Sequence, residues 1–411
     1  MNIQATLIER TLDNGMKIIV RENPLTTDVV CQLNYKVSYR NESVENTGIT
    51  AALIDTLLKD NFGKSPKVET ENGSRAWLFD DFISYIQAIS PDRLDQAFER
   101  YGKVMNSPVL TEESLNQAVE RAKNLRDKNR FFTSDYDTPA EFKALTYPVS
   151  GYGNPQYPTP VSAAQIDLIQ LQQWYQRFYS PDNATLIIVG NVNAEEVVRL
   201  AEQRFGAVPS RSTERTPDRQ ELHEPGRRHV VLHKDTKLPR LLVGFNLPGT
   251  IDTQYRKTVP TLEVLAAIID QNITARLAVC GGKCFYTPLR YASLIRVSLT
   301  AMTCDQSLEG LEVELNKWLE SLKTEVLSTG ELDAARQQIL DRWKSPQDQN
   351  NRLAYIFSHQ EVNQLPLTEL DQKHQELMDV TLADIQCAAS TYFIPERMTV
   401  AHILPMQAPV H

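Results

Sequence analysis

Ile166–Leu186 reads IDLIQLQQWYQRFYSPDNATL, and 214 residues later Val380–Val400 reads VTLADIQCAASTYFIPERMTV. The two stretches align without a gap. Ile166 meets Val380, Leu168 meets Leu382 and Leu171 meets Ile385. Phe178 and Tyr179 meet Tyr392 and Phe393, Pro181 meets Pro395, and Thr185 and Leu186 meet Thr399 and Val400. In each copy the apolar residues recur at helical spacing and predict an amphipathic helix that ends in an aromatic pair. A proline turn and a β-branched strand follow, Ala184–Val189 in one copy and Met398–Leu404 in the other. Chance likeness between two helix–turn–strand units would not bring the proline and the aromatic pair into register.

The halves also begin alike. Residues 7–22 (LIERTLDNGMKIIVRE) predict two strands joined at Asp13-Asn14-Gly15, a strong hairpin signal. Residues 229–246 read as strand, turn and strand, with Leu241–Phe245 as a buried run. A long helical pattern comes next in both, Gly48–Asp60 and Val259–Asp270. Between the halves, residues 209–228 are polar and charged and carry three prolines, which is linker composition. The expected organisation is a domain over 1–208, a linker over 209–228 and a homologous domain over 229–411. Each would be an α+β unit, a mostly antiparallel sheet packed with helices.

Bulk composition narrows the function classes. A chain of 411 residues exceeds the usual single domain, and 41% hydrophobic with 23% charged residues suits a globular protein. The net charge of −9 argues against nucleic acid or an anionic membrane as partner. Five scattered cysteines, an odd number, do not make a disulfide framework. No apolar run reaches membrane-span length. The first residues lack the pattern of a signal peptide, so a cytoplasmic location is expected, or a periplasmic or organellar one if a leader was removed.

Several stretches in this order carry a family resemblance: Leu12-Asp13-Asn14-Gly15-Met16, Gly48–Lys59, Tyr179–Leu186 with Gly190-Asn191-Val192, and Leu242-Val243-Gly244-Phe245. Along nearly its whole length the chain resembles the pitrilysin/insulinase metallopeptidases. The resemblance implies a clam-shell of two homologous halves enclosing a peptide chamber. It also implies a zinc helix with the inverted motif H-x-x-E-H. In that frame the chemical positions fall on Ala51, Ile54 and Asp55, and the first 222 residues contain no histidine. Active members take a further glutamate downstream, but none stands between Glu120 and Glu141. They also use an arginine and a tyrosine, spaced R-x6-Y, from the second half. In the corresponding stretch, Arg276–Tyr286, the tyrosine position falls on Phe285 or Tyr286, with no arginine seven residues before either. The expectation is therefore no catalytic residue and no metal here, with substrate contacts near Phe285, Tyr286 and Arg290.

Other candidates have plainer readings. His229 and His233 share one face of a β-type run, but the sequence offers them no third ligand. Cys280 and Cys284 flank Gly281-Gly282 at C-x3-C, not the redox spacing C-x-x-C, and the glycines suggest a loop lining the chamber. His359, Glu361, His374 and Glu376 have polar neighbours on predicted helices and read as a solvated face. Nucleotide-loop and serine-hydrolase motifs are absent. The chain reads as an inactive peptidase-like subunit that pairs with a zinc-bearing homologue, or with itself, and binds peptide. Its cofactor is none, with zinc expected only in the partner. The alternatives are a stand-alone peptide-binding or scaffold protein and, further off, a thiol function at Cys280 or Cys284.

Overall fold

The computed structural model describes residues 6–62, 75–129, 138–211, 219–222, 224–324, 327–344, 349–368 and 370–406. Of the expected linker, residues 212–218 and 223 lie outside the described residues, as do residues 130–137. The chain forms two compact units. The first gathers residues 1–126, 154–217 and 346–362; the second gathers 127–153, 218–345 and 363–411.

Among the described residues the first unit holds six strands: β1 (Leu7–Thr11), β2 (Lys17–Glu22), β3 (Val29–Tyr35), β4 (Arg75–Leu78), β5 (Ile83–Ile89) and β6 (Ala184–Gly190). Their order is β1-β2-β6-β3-β5-β4. The Asp13-Asn14-Gly15 turn forms as expected: Gly15 has a φ of 86° and its N–H donates to Leu12 O at 2.9 Å. The second unit holds β7 (Arg228–Lys234), β8 (Arg240–Pro248), β9 (Val279–Thr287), β10 (Ala292–Ala301) and β11 (Met398–Pro405), in the order β7-β11-β8-β10-β9. Apart from β1 the two orders correspond strand for strand. Each has a single parallel pair, β2 with β6 and β7 with β11, and is otherwise antiparallel.

The sequence repeat is a repeat of structure. The helices Leu168–Phe178 and Leu382–Tyr392 start and stop at matching positions. Asp167 caps the first by accepting from Gln170 N, and Thr381 caps the second by accepting from Asp384 N. Such boxes satisfy N–H groups that a helix start leaves unpaired. Short turns Pro181–Asn183 and Pro395–Arg397 then deliver the chain to β6 and β11.

Alternation along β3 sends Val29, Cys31, Leu33 and Tyr35 into the main core of the first unit. The other face carries Gln32 and Asn34, yet both are buried. Their cover is the helix Gln349–Val362, which comes from the second half of the sequence and belongs to the first unit. Asn34 Nδ2 donates to Ser358 Oγ at 2.8 Å. Asn350 accepts from Asn23 Nδ2 at 2.8 Å and donates to Thr26 Oγ1 and Asp28 O, both at 2.9 Å. Glu361 reaches Lys36 at 2.8 Å and Lys17 at 3.6 Å. The ring of His359 lies 5.1 Å from Phe79 and 5.0 Å from Phe82. The expected solvated face is thus corrected for His359 and Glu361, whose polar neighbours pair across a packed surface. His374 is exposed, as expected.

A counterpart exists in the second unit. The short helix Ala140–Thr146, from the first half of the sequence, puts Phe142 into a cluster with Leu232, Leu242, Ala401 and Ile403. A Cβ at Gly244 would come within 2.9 Å of Phe142, so glycine permits this approach. Asn246 Nδ2 donates to Thr146 O at 2.6 Å. Moved by 214 positions, residues 140–146 become 354–360, inside Gln349–Val362. Each half of the sequence therefore gives the same repeated element to the unit built mainly from the other half. No helix among the described residues is long and apolar enough to cross a membrane.

Asn350→Ala should lower unfolding free energy by about 2–4 kcal/mol, because it strands the buried amide of Asn23 and takes one donor from the carbonyl of Asp28. Urea denaturation followed by circular dichroism measures this. A loss below about 0.5 kcal/mol would mean that these bonds do not hold the helix to its sheet.

Candidate degenerate metal site

The helix Ile49–Phe62 carries the three positions of interest. Its start is fixed by Gly48, at a φ of 90°, where an added Cβ would lie 2.4 Å from Pro158. Both carboxylate oxygens of the buried Glu42 accept from its first amides, Gly48 N at 2.6 Å and Thr50 N at 2.9 Å. Burial pushes the Glu42 carboxyl up to about 8, against the pull of those hydrogen bonds. Ala52, Leu53 and Leu57 face the core of the first unit, and Thr56 ties its hydroxyl to Ala52 O at 2.8 Å.

Ala51 is partly exposed on this helix, Ile54 is buried in the same core, and Asp55 is partly exposed. Asp55 is the only one of the three with a metal-binding atom. Its carboxylate lies 3.5 Å from the guanidinium of Arg121, which stands on the helix Glu112–Asn129. Desolvation raises the Asp55 pKa to about 6, and the Arg121 charge acts the other way. A zinc site needs three or four converging donors and no fixed cation among them. Among the described residues these positions offer one carboxylate, already facing a fixed positive charge. Zinc does not fit this donor set, and no hydrolytic step can be routed through it. Sequence reading missed Arg121, since it looked only for a lost ligand and not for what would face Asp55.

The second-half residues lie on or beside β9, the last strand of its sheet. Phe285 sits under the Arg296 guanidinium, 4.9 Å from ring centroid to Cζ. Tyr286 points to the core side, with its hydroxyl 3.0 Å from that of Tyr255. Arg290, in the turn after β9, stacks over Tyr291 at 5.5 Å, and its carbonyl accepts from Ile251 N at 3.0 Å. Gly281 and Gly282 were expected in a loop. They lie within β9 instead, because a Cβ on Gly282 would come 2.4 Å from Ile273 on the neighbouring helix Val259–Arg276. The glycine serves close packing. Cys280 is exposed, and Cys284 is buried with its thiol pushed above the usual range. Such a thiol is poorly suited to nucleophilic chemistry. His229 and His233 both lie on β7, where four residues of strand separate their Cα atoms by about 13 Å, too far for shared chelation.

Residues 165–339 match the family described as "Peptidase M16 inactive domain". Zinc protease PqqE of Helicobacter pylori is 23% identical over 96% of this chain and 92% of its own length. The chain is similar to the pitrilysin/insulinase-type (M16) peptidases. An uncharacterized zinc protease of Bacillus subtilis, YmxG, is 20% identical over 80% of this chain and 81% of that one. Among solved structures, a protease from Helicobacter pylori superposes with a TM-score of 0.84 at 21% identity, covering 98% of this chain and 100% of that one. A peptidase M16 inactive domain from Pseudomonas fluorescens superposes at 0.82 with 14% identity, covering 98% of both.

In this chain the Asp55 carboxylate should titrate near 6 by carbon-detected NMR. Arg121→Gln should move that midpoint upward, since it removes the one charge that favours ionisation. Because the folded value exceeds the unfolded one, this group's contribution to stability falls as pH rises from about 4 to about 6. A midpoint at the ordinary aspartate value, unmoved by Arg121→Gln, would contradict the pairing.

Proposed function

We propose that the chain is a non-catalytic M16 subunit that pairs with a zinc-bearing homologue and contributes peptide-binding surface to the pair. The observation that carries this reading is the Asp55–Arg121 contact. The chain keeps the helix on which the family places its chemistry and has put an internal ion pair where a dication would need donors. A fold maintained without its catalytic set is useful where a second subunit supplies that set.

The sheets offer the means of holding an extended peptide. Among the described residues their orders run from β1 to β4 and from β7 to β9. An edge strand presents a row of backbone N–H and C=O groups that an added strand can pair with, while side chains set the preference. On β9, Phe285 and Tyr286 point to opposite faces, and Arg290 follows in the next turn. We assign substrate contact to this edge.

The test is cleavage of a quenched peptide library by the chain alone, by an H-x-x-E-H homologue from the same genome, and by the two together. Chelator-sensitive cleavage is expected only in the mixture, or at least about tenfold faster there. Phe285→Ala in this chain should raise KM of the mixture several-fold with little change in kcat. Cleavage by the isolated chain would overturn the reading. Peptide binding with no gain in any mixture would favour a stand-alone binding protein.

A further inference from the structure

The second unit brings together three metal-binding side chains far apart in sequence. His229 lies on β7, His402 on the neighbouring β11, and Glu312 on the helix Leu308–Ser321. One ligand atom from each lies within 4.8 Å of the other two. His402 Nε2 and Glu312 Oε2 are 2.9 Å apart, and the rings of His229 and His402 meet edge to face at 4.5 Å. Glu312 and His402 are buried, whereas His229 is exposed.

We propose that His229, Glu312 and His402 bind one divalent transition metal of the zinc class. Ligand atoms around a tetrahedral zinc stand about 3.3 Å apart. The His402–Glu312 pair is already near that spacing, and the exposed His229 can close the remainder by a side-chain rotation. Two imidazoles and one carboxylate form a set suited to zinc, nickel or copper and poorly suited to calcium or magnesium. Three protein ligands leave a fourth position for solvent.

The surroundings support the assignment. Glu309 Oε1 lies 3.5 Å from His402 Nδ1, so the second ring nitrogen has a carboxylate partner, as metal-bound histidines commonly do. Arg227 donates to Glu312 Oε1 at 2.6 Å, which holds that carboxylate and leaves Oε2 turned to His402. With neutral imidazoles, two carboxylates and one guanidinium sum to a single negative charge, which favours a dication. This site is in a different compact unit from the Ile49–Phe62 helix and does not depend on the role proposed above. It also explains why the sequence pair misleads: His229 finds its partners across the sheet and on a helix, not at His233.

Titration of the full chain with Zn2+ tests this, with Cys280, Cys304 and Cys387 replaced by serine so that exposed thiols cannot compete. One Zn2+ per chain is expected, with a Kd of about 1 μM or tighter. His229→Ala, at an exposed position, should weaken it at least about 100-fold, while His233→Ala should not change it. Zn2+ should raise the Tm of the parent and of His233→Ala, but not of His229→Ala. No binding by the parent at about 100 μM Zn2+, or equal binding by His229→Ala, would overturn the proposal.

Discussion

Asn34 and Ser358 stand 324 residues apart in the chain and 2.8 Å apart in the fold. That bond belongs to the constraint on which the rest of the structure depends: each sheet has two faces to cover, and its own half supplies enough apolar helix for one. The first unit covers its second face with Gln349–Val362, and the second unit does so with Ala140–Thr146. Buried polar groups are tolerable only where they pair. Gln32, Asn34 and Asn350 are accordingly buried and bonded to one another or to serine, threonine and backbone partners.

A second consequence concerns the helix that carries Ala51, Ile54 and Asp55. The helix Ile49–Phe62 is retained with care: Gly48 admits Pro158, Glu42 closes the first amides, and Leu53 and Leu57 fill the core. Most of its residues serve packing, and those demands remain whether or not the chain cuts peptide. Asp55 is partly buried and Arg121 provides its counter-charge.

The fold was largely legible. Two copies of a helix, a proline turn and a strand could be aligned by eye, and their caps and ends recur in the structure at the same offset. The turn at Asp13-Asn14-Gly15 was equally plain. What could not be read was the cover of each second face. Polar residues alternating on β3 look solvated until a helix from more than 300 residues away is placed on them. For the same reason His359 and Glu361 read as surface. At the first site, sequence pointed to Ala51, Ile54 and Asp55 but not to Arg121. It noted His229 beside His233 and set the pair aside for want of a third ligand, because strand adjacency of β7 and β11 is a property of topology. Gly281-Gly282 looked like a loop because close helix packing leaves no local mark.

The central claim is that this chain is one half of a functional pair. Native mass spectrometry of the chain mixed with an H-x-x-E-H homologue from the same genome tests it most directly. The account predicts a one-to-one complex that forms in preference to either chain with itself. Two species that stay separate at every mixing ratio would contradict it.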